Sequence, residues 1–334
     1  MIRKCIIFGG SGFIGSHFAS FLISNKYFDE IYLADIKSPI SQKVLNDKKI
    51  KYFFCDVRNK ITLDLSLGND DLIANFAAIH REPGHEDYEY YETNLPGAEN
   101  ICRWAGEVQC NNILFTSSIS PYGVSESIKD EKTLPNPSTA YGASKLIAEK
   151  IHQIWQAQDP SQRLLQIVRP GVVFGSGEGG NVTRLINAVI HNYFFYMGNK
   201  ATRKSGVYVK ELCFAMHWMI NYQKETKKHF ALYNMSMNPG PSIQEYVLAV
   251  CKVLNIKKII LNIPFWILLS MSYLIETIAR PLSIKHPFSP VRIKKLIRSN
   301  NILPNFLIEH GYEYQYSLEE AFKDWKAECP SDWS

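Results

Sequence analysis

Three glycines spaced three apart restrict this chain more than any other feature. Gly9, Gly12 and Gly15 stand in Phe8-Gly-Gly-Ser-Gly-Phe-Ile-Gly15, behind an apolar run over 4–8 and ahead of a helical pattern over 17–24. Strand, glycine turn and helix in that order open a dinucleotide-binding unit. One glycine permits the tight turn, one lets the backbone approach a pyrophosphate, and one allows close helix–strand packing. The helix N-terminus then turns free N–H groups and a positive dipole end toward the phosphates. Glycines alone describe many turns, but Asp35, 20 residues beyond Gly15 at the end of the second apolar run, makes this one specific. An acid there accepts hydrogen bonds from the adenosine ribose and repels a 2′-phosphate, which favours NAD over NADP. Lys37 softens that preference.

Apolar runs at 4–8, 30–34, 51–55, 71–76, 112–116 and 164–168 alternate with helical stretches. Strands without internal polar alternation are buried on both faces, so the expected fold is α/β, a doubly wound parallel sheet of Rossmann type. After Arg169-Pro170 the character changes. A glycine-rich loop over 175–181 is followed, from about 238, by mostly helical sequence with proline breaks at 264, 281, 287, 290 and 304. The expected division is a nucleotide-binding domain over 1–176 with a return segment at about 206–237. A smaller, mostly helical substrate domain takes 177–205 and 238–334.

With 334 residues, 46% of them hydrophobic, the chain can bury a sizeable core. The net charge of +5 is dispersed in short Lys patches, which reads as a solvated surface and not a nucleic-acid groove. Seven cysteines, an odd number without a C-x-x-C pair, read as reduced thiols of a cytoplasmic protein. The N-terminus runs straight into the first strand, leaving no room for a signal peptide. Residues 259–275 carry no charge, but Asn262, Pro264, Ser270 and Ser272 interrupt a stretch already short for a membrane span. A buried or interface helix is expected there, with peripheral membrane contact as the alternative and no stable insertion.

Ser117-Ser118 closes the fifth strand, where a parallel sheet lines its ligand crevice. Tyr141 and Lys145 follow, four apart on one helix face. Each taken alone is ordinary surface; their order behind the glycine turn is not. A free tyrosine has a pKa of about 10, and a base near neutral pH needs about 4 kcal/mol of help for its phenolate. The Lys145 ammonium and an oxidised nicotinamide supply it. Tyr141 would then remove a hydroxyl proton as hydride leaves the same carbon, Lys145 would also hold the nicotinamide ribose, and Ser118 would hydrogen-bond the reacting oxygen.

These segments together resemble the extended short-chain dehydrogenase/reductases, specifically the NAD-dependent sugar epimerase/dehydratase group and its UDP-hexose 4-epimerases. The resemblance rests on 9–15, Cys55-Asp56-Val57, Phe76-Ala77-Ala78, Asn94-Leu-Pro-Gly97, Ser117 to Gly123, Tyr141 to Lys145 and Arg169 to Gly175. It implies cofactor contacts at Gly9, Gly12, Phe13, Ile14, Gly15, Asp35, Asp56, Val57, Ala77, Ala78, Tyr141 and Lys145. It implies the catalytic hydroxyl at Ser118, substrate diphosphate at Asn181, and Lys204 in the role of a phosphate-binding arginine. It also implies a homodimer through helices over 94–105 and 141–155. Three departures stand out. Sugar 4,6-dehydratases carry an Asp-Glu pair after the catalytic hydroxyl; Ile119-Ser120 stand here, which disfavours water elimination. Lys210-Glu211 replace the usual acids. The 259–275 stretch is more apolar than usual, as in sterol dehydrogenases.

The loop 79–87 holds His80, Arg81, Glu82, His85, Glu86 and Asp87. It offers a second proton carrier or a contact to substrate through His80, or a polar loop that binds itself. It has too few ligands for a metal site. The expected function is NAD-dependent 4-epimerisation of a nucleotide sugar, a UDP-hexose, through a transient 4-keto sugar. The alternatives are a dehydrogenase or reductase of a nucleotide deoxysugar or a sterol-like alcohol, and a non-enzymatic NAD sensor.

Overall fold

The computed structural model describes residues 3–39, 47–81, 84–123, 126–279 and 299–334. Its main sheet contains β1 (Lys4–Phe8), β2 (Glu30–Asp35), β3 (Ile50–Phe54), β4 (Leu72–Asn75), β5 (Asn112–Thr116), β6 (Leu164–Pro170) and a late strand, β10 (Phe230–Met235). The order is β10-β6-β5-β4-β1-β2-β3, and every neighbouring pair is parallel. The chain leaves β1 toward one edge and returns at β4 toward the other, so the crevice of the sheet opens between β1 and β4.

The uniformly apolar strands are explained by two covered faces. Cys5 and Ile7 point one way, against Phe18 and Leu22 of α1 (Phe13–Ser24) and Leu212 and Met216 of α5 (Val209–Thr226). Ile6 and Phe8 point the other way, against Ile101 and Trp104 of α2 (Asp87–Glu107) and Trp155 of α3 (Ala140–Ala157). The edge strands depart from this: Phe54 of β3 and Phe230 of β10 are exposed, and the third apolar run is half-covered.

Past β6 the chain forms β7 (Val172–Phe174), α4 (Asn181–Ile190), β8 (Tyr196–Met197) and β9 (Gly206–Tyr208) before α5 and β10. Then come α6 (Ile243–Leu254), β11 (Asn262–Ile263), α7 (Phe265–Ala279), α8 (Asn305–Glu309) and α9 (Leu318–Glu328). The pairs β7–β9 and β8–β11 are two-stranded and parallel. Phe174, Tyr208, Tyr246, Phe322, Trp325 and Trp333 form a separate aromatic core beneath them. The segment between β9 and β10 therefore rejoins the main sheet, while its flanks build the second core. The proline breaks at 281, 287 and 290, and Glu82 of the 79–87 loop, lie outside the described residues.

Candidate active site

The β1–α1 turn has the shape a pyrophosphate needs. Gly9 adopts φ +75°, where other side chains strain, and a Cβ on it would stand 2.7 Å from the backbone of Phe76 and Ala77. A Cβ on Gly15 would stand 2.4 Å from the Gly9 carbonyl oxygen, so α1 can approach β1 only there without a side chain. The Ser11 hydroxyl is buried without a protein partner, a donor left for a ligand. Asp35, at the end of β2, accepts from the Ser11 N–H at 3.0 Å, which holds its carboxylate beside the glycine turn. Phe13 and Ile14 open α1, and Ala77 and Ala78 leave β4 on the other side of the crevice. Asp56 is gripped by Arg58 at 2.6 Å, which holds its carboxyl below the usual range. Val57 is buried, and its carbonyl accepts from the Asn100 amide at 2.9 Å.

Past β5, the serine pair divides. Ser117 is buried and donates to Glu149 of α3 at 2.5 Å. Ser118 lies partly buried and meets the Ser120 hydroxyl and N–H, each at 3.1 Å. A Cβ on Gly142 would stand 2.7 Å from the Ser120 carbonyl oxygen. Glycine at that position lets the loop behind Ser118 rest on the first turn of α3, next to Tyr141. Thr139 caps this helix, accepting from the Gly142 N–H at 3.1 Å.

Lys145 lies one helical turn beyond Tyr141 and is buried, its Nζ 4.3 Å from the centre of the Phe115 ring. Burial depresses its ammonium to about 7, against the opposing pull of Glu149. The Phe115 ring also stacks on His152 at 4.2 Å, and burial lowers that imidazole to about 4. Behind Lys145, Arg169 holds Glu149 with two hydrogen bonds of 2.8 and 2.6 Å, both groups almost wholly out of water. A neutral-range lysine above a fixed carboxylate can answer a charge developing on a nearby phenol.

Two residues matter here beyond those singled out from sequence for a role. Asn94 accepts from the Ile79 N–H at 2.9 Å and donates to Ser144 at 2.9 Å, while Ser144 donates to the Tyr141 carbonyl at 2.9 Å. It ties the end of β4, α2 and the tyrosine turn together. Glu149 is the other. Its spacing of four from Lys145 was visible in sequence; its partners were not.

The described part of the 79–87 loop is tied to the start of α2. Tyr90 donates to the Arg81 carbonyl, His85 lies 3.5 Å from Glu89, and Glu86 with Glu89 caps α2. His80 is exposed; its imidazole is lowered by local desolvation and further by the charges of Arg81 and Lys145. His80 follows the C-terminal end of β4, the end at which a parallel sheet opens its crevice. Asn181 begins α4, exposed, with the Arg184 guanidinium 3.1 Å from its amide oxygen. Arg184, one turn in, adds a positive charge to that helix N-terminus. Lys204 precedes β9, its N–H on the Pro241 carbonyl at 2.9 Å, and burial lowers its ammonium. Among the described residues no cluster of His, Cys, Asp or Glu could hold a metal.

A parallel sheet with a phosphate turn at its switch point, and a Tyr–Lys helix beside the neighbouring strand end, defines an NAD-dependent oxidoreductase-type enzyme of the extended short-chain class. This chain belongs to the NAD dependent epimerase/dehydratase family, whose model matches residues 5–235. The N-acetyl-alpha-D-glucosaminyl-diphospho-ditrans,octacis-undecaprenol 4-epimerase of Escherichia coli O157:H7 is 26% identical, over 96% of this chain and 93% of that protein. The UDP-glucose 4-epimerase of Bacillus subtilis (strain 168) is 25% identical over 74% of this chain and 81% of its own length. The UDP-glucuronic acid 4-epimerase from Bacillus cereus, crystallised with NAD, shares the fold with a TM-score of 0.73 at 15% identity, covering 99% of this chain and 100% of that one. NAD is the cofactor, and the glycine turn, the orphaned Ser11 hydroxyl and Asp35 fit it.

Proposed function

We propose that this protein epimerises a diphosphate-activated hexose at C4 through a transient 4-keto sugar. The observation that carries this is the β5 exit. Ser118 is followed by Ile119 and Ser120, not by acids, beside a Tyr141–Lys145 pair in which burial pushes the lysine ammonium down to about 7. Bound NAD supplies a reversible hydride acceptor. Tyr141 takes the C4 hydroxyl proton and later returns it. Lys145 favours the tyrosine phenolate and holds the nicotinamide ribose. Ser118 hydrogen-bonds the C4 oxygen in both states. Asn181 and Lys204 hold the diphosphate while the keto sugar turns and presents its other face, and His80 contacts the sugar. The cofactor rests on Gly9, Gly12, Phe13, Ile14, Gly15, Asp35, Asp56, Val57, Ala77 and Ala78.

A UDP-hexose is the first substrate. A second, a hexose on a polyisoprenyl diphosphate, is favoured by the reach of the likeness. The lipid-linked-sugar epimerase aligns over 96% of this chain, against 74% for the UDP-glucose enzyme. Both substrates present the same sugar diphosphate to the same residues. The test is product NMR after incubation with UDP-hexoses and with undecaprenyl-diphosphate N-acetylglucosamine, without added NAD. A new C4 epimer with no net NADH supports the reading; stoichiometric NADH would make the protein a one-way dehydrogenase instead.

The proposed domains are 1–176 with 206–237 for cofactor, and 177–205 with 238–334 for substrate. The return of the chain to β10 beside β6 supports this division. We also place a homodimer on α2 and α3, where Ile147 and Ile154 are exposed on α3, and assign the protein to the cytoplasm.

A further inference from the structure

Helix α7 is built the wrong way round for a soluble domain. Leu268, Ser272 and Ala279 are its buried positions. Trp266, Ser270, Tyr273, Leu274 and Thr277 recur at helical spacing on the opposite side, and all are exposed. Trp266 is 68% and Leu274 63% exposed. The approach to the helix continues this surface, with Ile259 at 99% and Leu261 at 70%. None of the described side chains of α7 joins the three hydrophobic clusters of the protein. No charged side chain interrupts 259–275, and the sequence directly after α7, 280–298, holds six Lys or Arg and no Asp or Glu. Contiguous exposed apolar surface of this kind marks an interaction site.

We propose that this face docks onto the surface of an anionic lipid bilayer, so that the active site works on a lipid-linked sugar diphosphate. This rests on the second substrate reading above. The chemistry matches an interfacial helix: tryptophan, tyrosine and leucine suit the headgroup region, and the basic composition of the sequence that follows favours anionic lipid over neutral lipid. The helix lies on the membrane and does not cross it; among the described residues no helix is long and apolar enough to span. The fold also connects this surface to the diphosphate site. Lys258, next to exposed Ile259, donates to the Val189 and Ile190 carbonyls, the latter at 2.6 Å, at the C-terminal end of α4. Asn181 opens the other end of that 10-residue helix, on the order of 15 Å away. A polyisoprenyl chain leaving a diphosphate held at Asn181 has only that distance to travel to reach lipid.

The test is flotation of the full-length protein with vesicles of phosphatidylcholine and phosphatidylglycerol, comparing wild type with Trp266→Gln/Leu274→Gln. Both proteins are also sized by light scattering and assayed on UDP-N-acetylglucosamine and on detergent-solubilised undecaprenyl-diphosphate N-acetylglucosamine. Wild type should float. The double variant should lose at least tenfold in vesicle partition, because each buried side chain of this size contributes about that factor. Its size and its activity in detergent should be unchanged. Wild type that stays at the bottom of the gradient overturns the proposal, and so does a variant that floats as well as wild type. A variant that dissociates a wild-type oligomer which itself does not float assigns the face to a second copy and also overturns it. Wild type that floats yet epimerises only the UDP-sugar leaves docking standing and removes the lipid-linked substrate.

Discussion

Replacing Lys145 by methionine should make the cofactor-free protein more stable while abolishing its activity. Lys145 is buried over the Phe115 ring, and its ammonium is lowered from 10.5 to about 7, first by burial, with Glu149 opposing. The unfolded chain therefore binds this proton more tightly than the folded one. The site opposes folding in full below about pH 7, and the opposition fades as pH rises toward the unfolded value. The depression corresponds to about 5 kcal/mol as an upper limit. Methionine keeps the apolar stem and removes the charge, with a repacking cost of about 1 kcal/mol. Urea denaturation of the cofactor-free proteins should show the variant ahead by about 2–4 kcal/mol near pH 6, narrowing to within about 1 kcal/mol near pH 10. Epimerisation should be lost, because the Tyr141 phenolate loses its neighbouring cation. A variant no more stable than wild type near pH 6, or a gap that does not change with pH, would refute the argument that a desolvated ammonium is stored here.

Three further experiments separate the remaining roles. Tyr141→Phe should lower kcat by about two to four orders of magnitude, with unchanged circular dichroism and retained NAD, as measured by steady-state epimer formation. Glu149→Ala strands a buried Arg169 guanidinium and should cost about 3–5 kcal/mol in urea titration, whereas Glu149→Leu with Arg169→Met should recover most of that loss. Gly15→Ala brings a methyl group 2.4 Å from the Gly9 carbonyl oxygen, so the purified variant should carry little NAD by absorbance and cofactor release, against a wild type that retains it.

The main sheet was legible because its signal is local. Buried parallel strands are short and apolar throughout, and all six runs read from sequence appear as strands of one sheet. The glycine turn and the acid ending β2 could be placed for the same reason: their spacing is set by one strand–turn–helix unit. The short strands β7, β8, β9 and β11 left no such signal, since two or three residues carry no period. The third run was read as buried and is half-exposed, because composition cannot say which strand ends a sheet.

By itself, then, the chain's order of residues determined that a nucleotide turn precedes a serine and a Tyr–Lys helix on a doubly wound sheet. Only the tertiary structure decided what surrounds them. Ser117 and Arg169 reach Glu149 across 32 and 20 residues, Asn94 reaches Ser144 across 50, and no local pattern encodes such pairings. The glycine turn keeps the geometry expected of it, but the tuning of Lys145 comes from burial that long-range packing creates. The same holds at α7. Hydropathy marked it as apolar, and only the packed fold could reveal that its apolar side faces outward, because burial is a property of what lies opposite a residue and not of the residue itself.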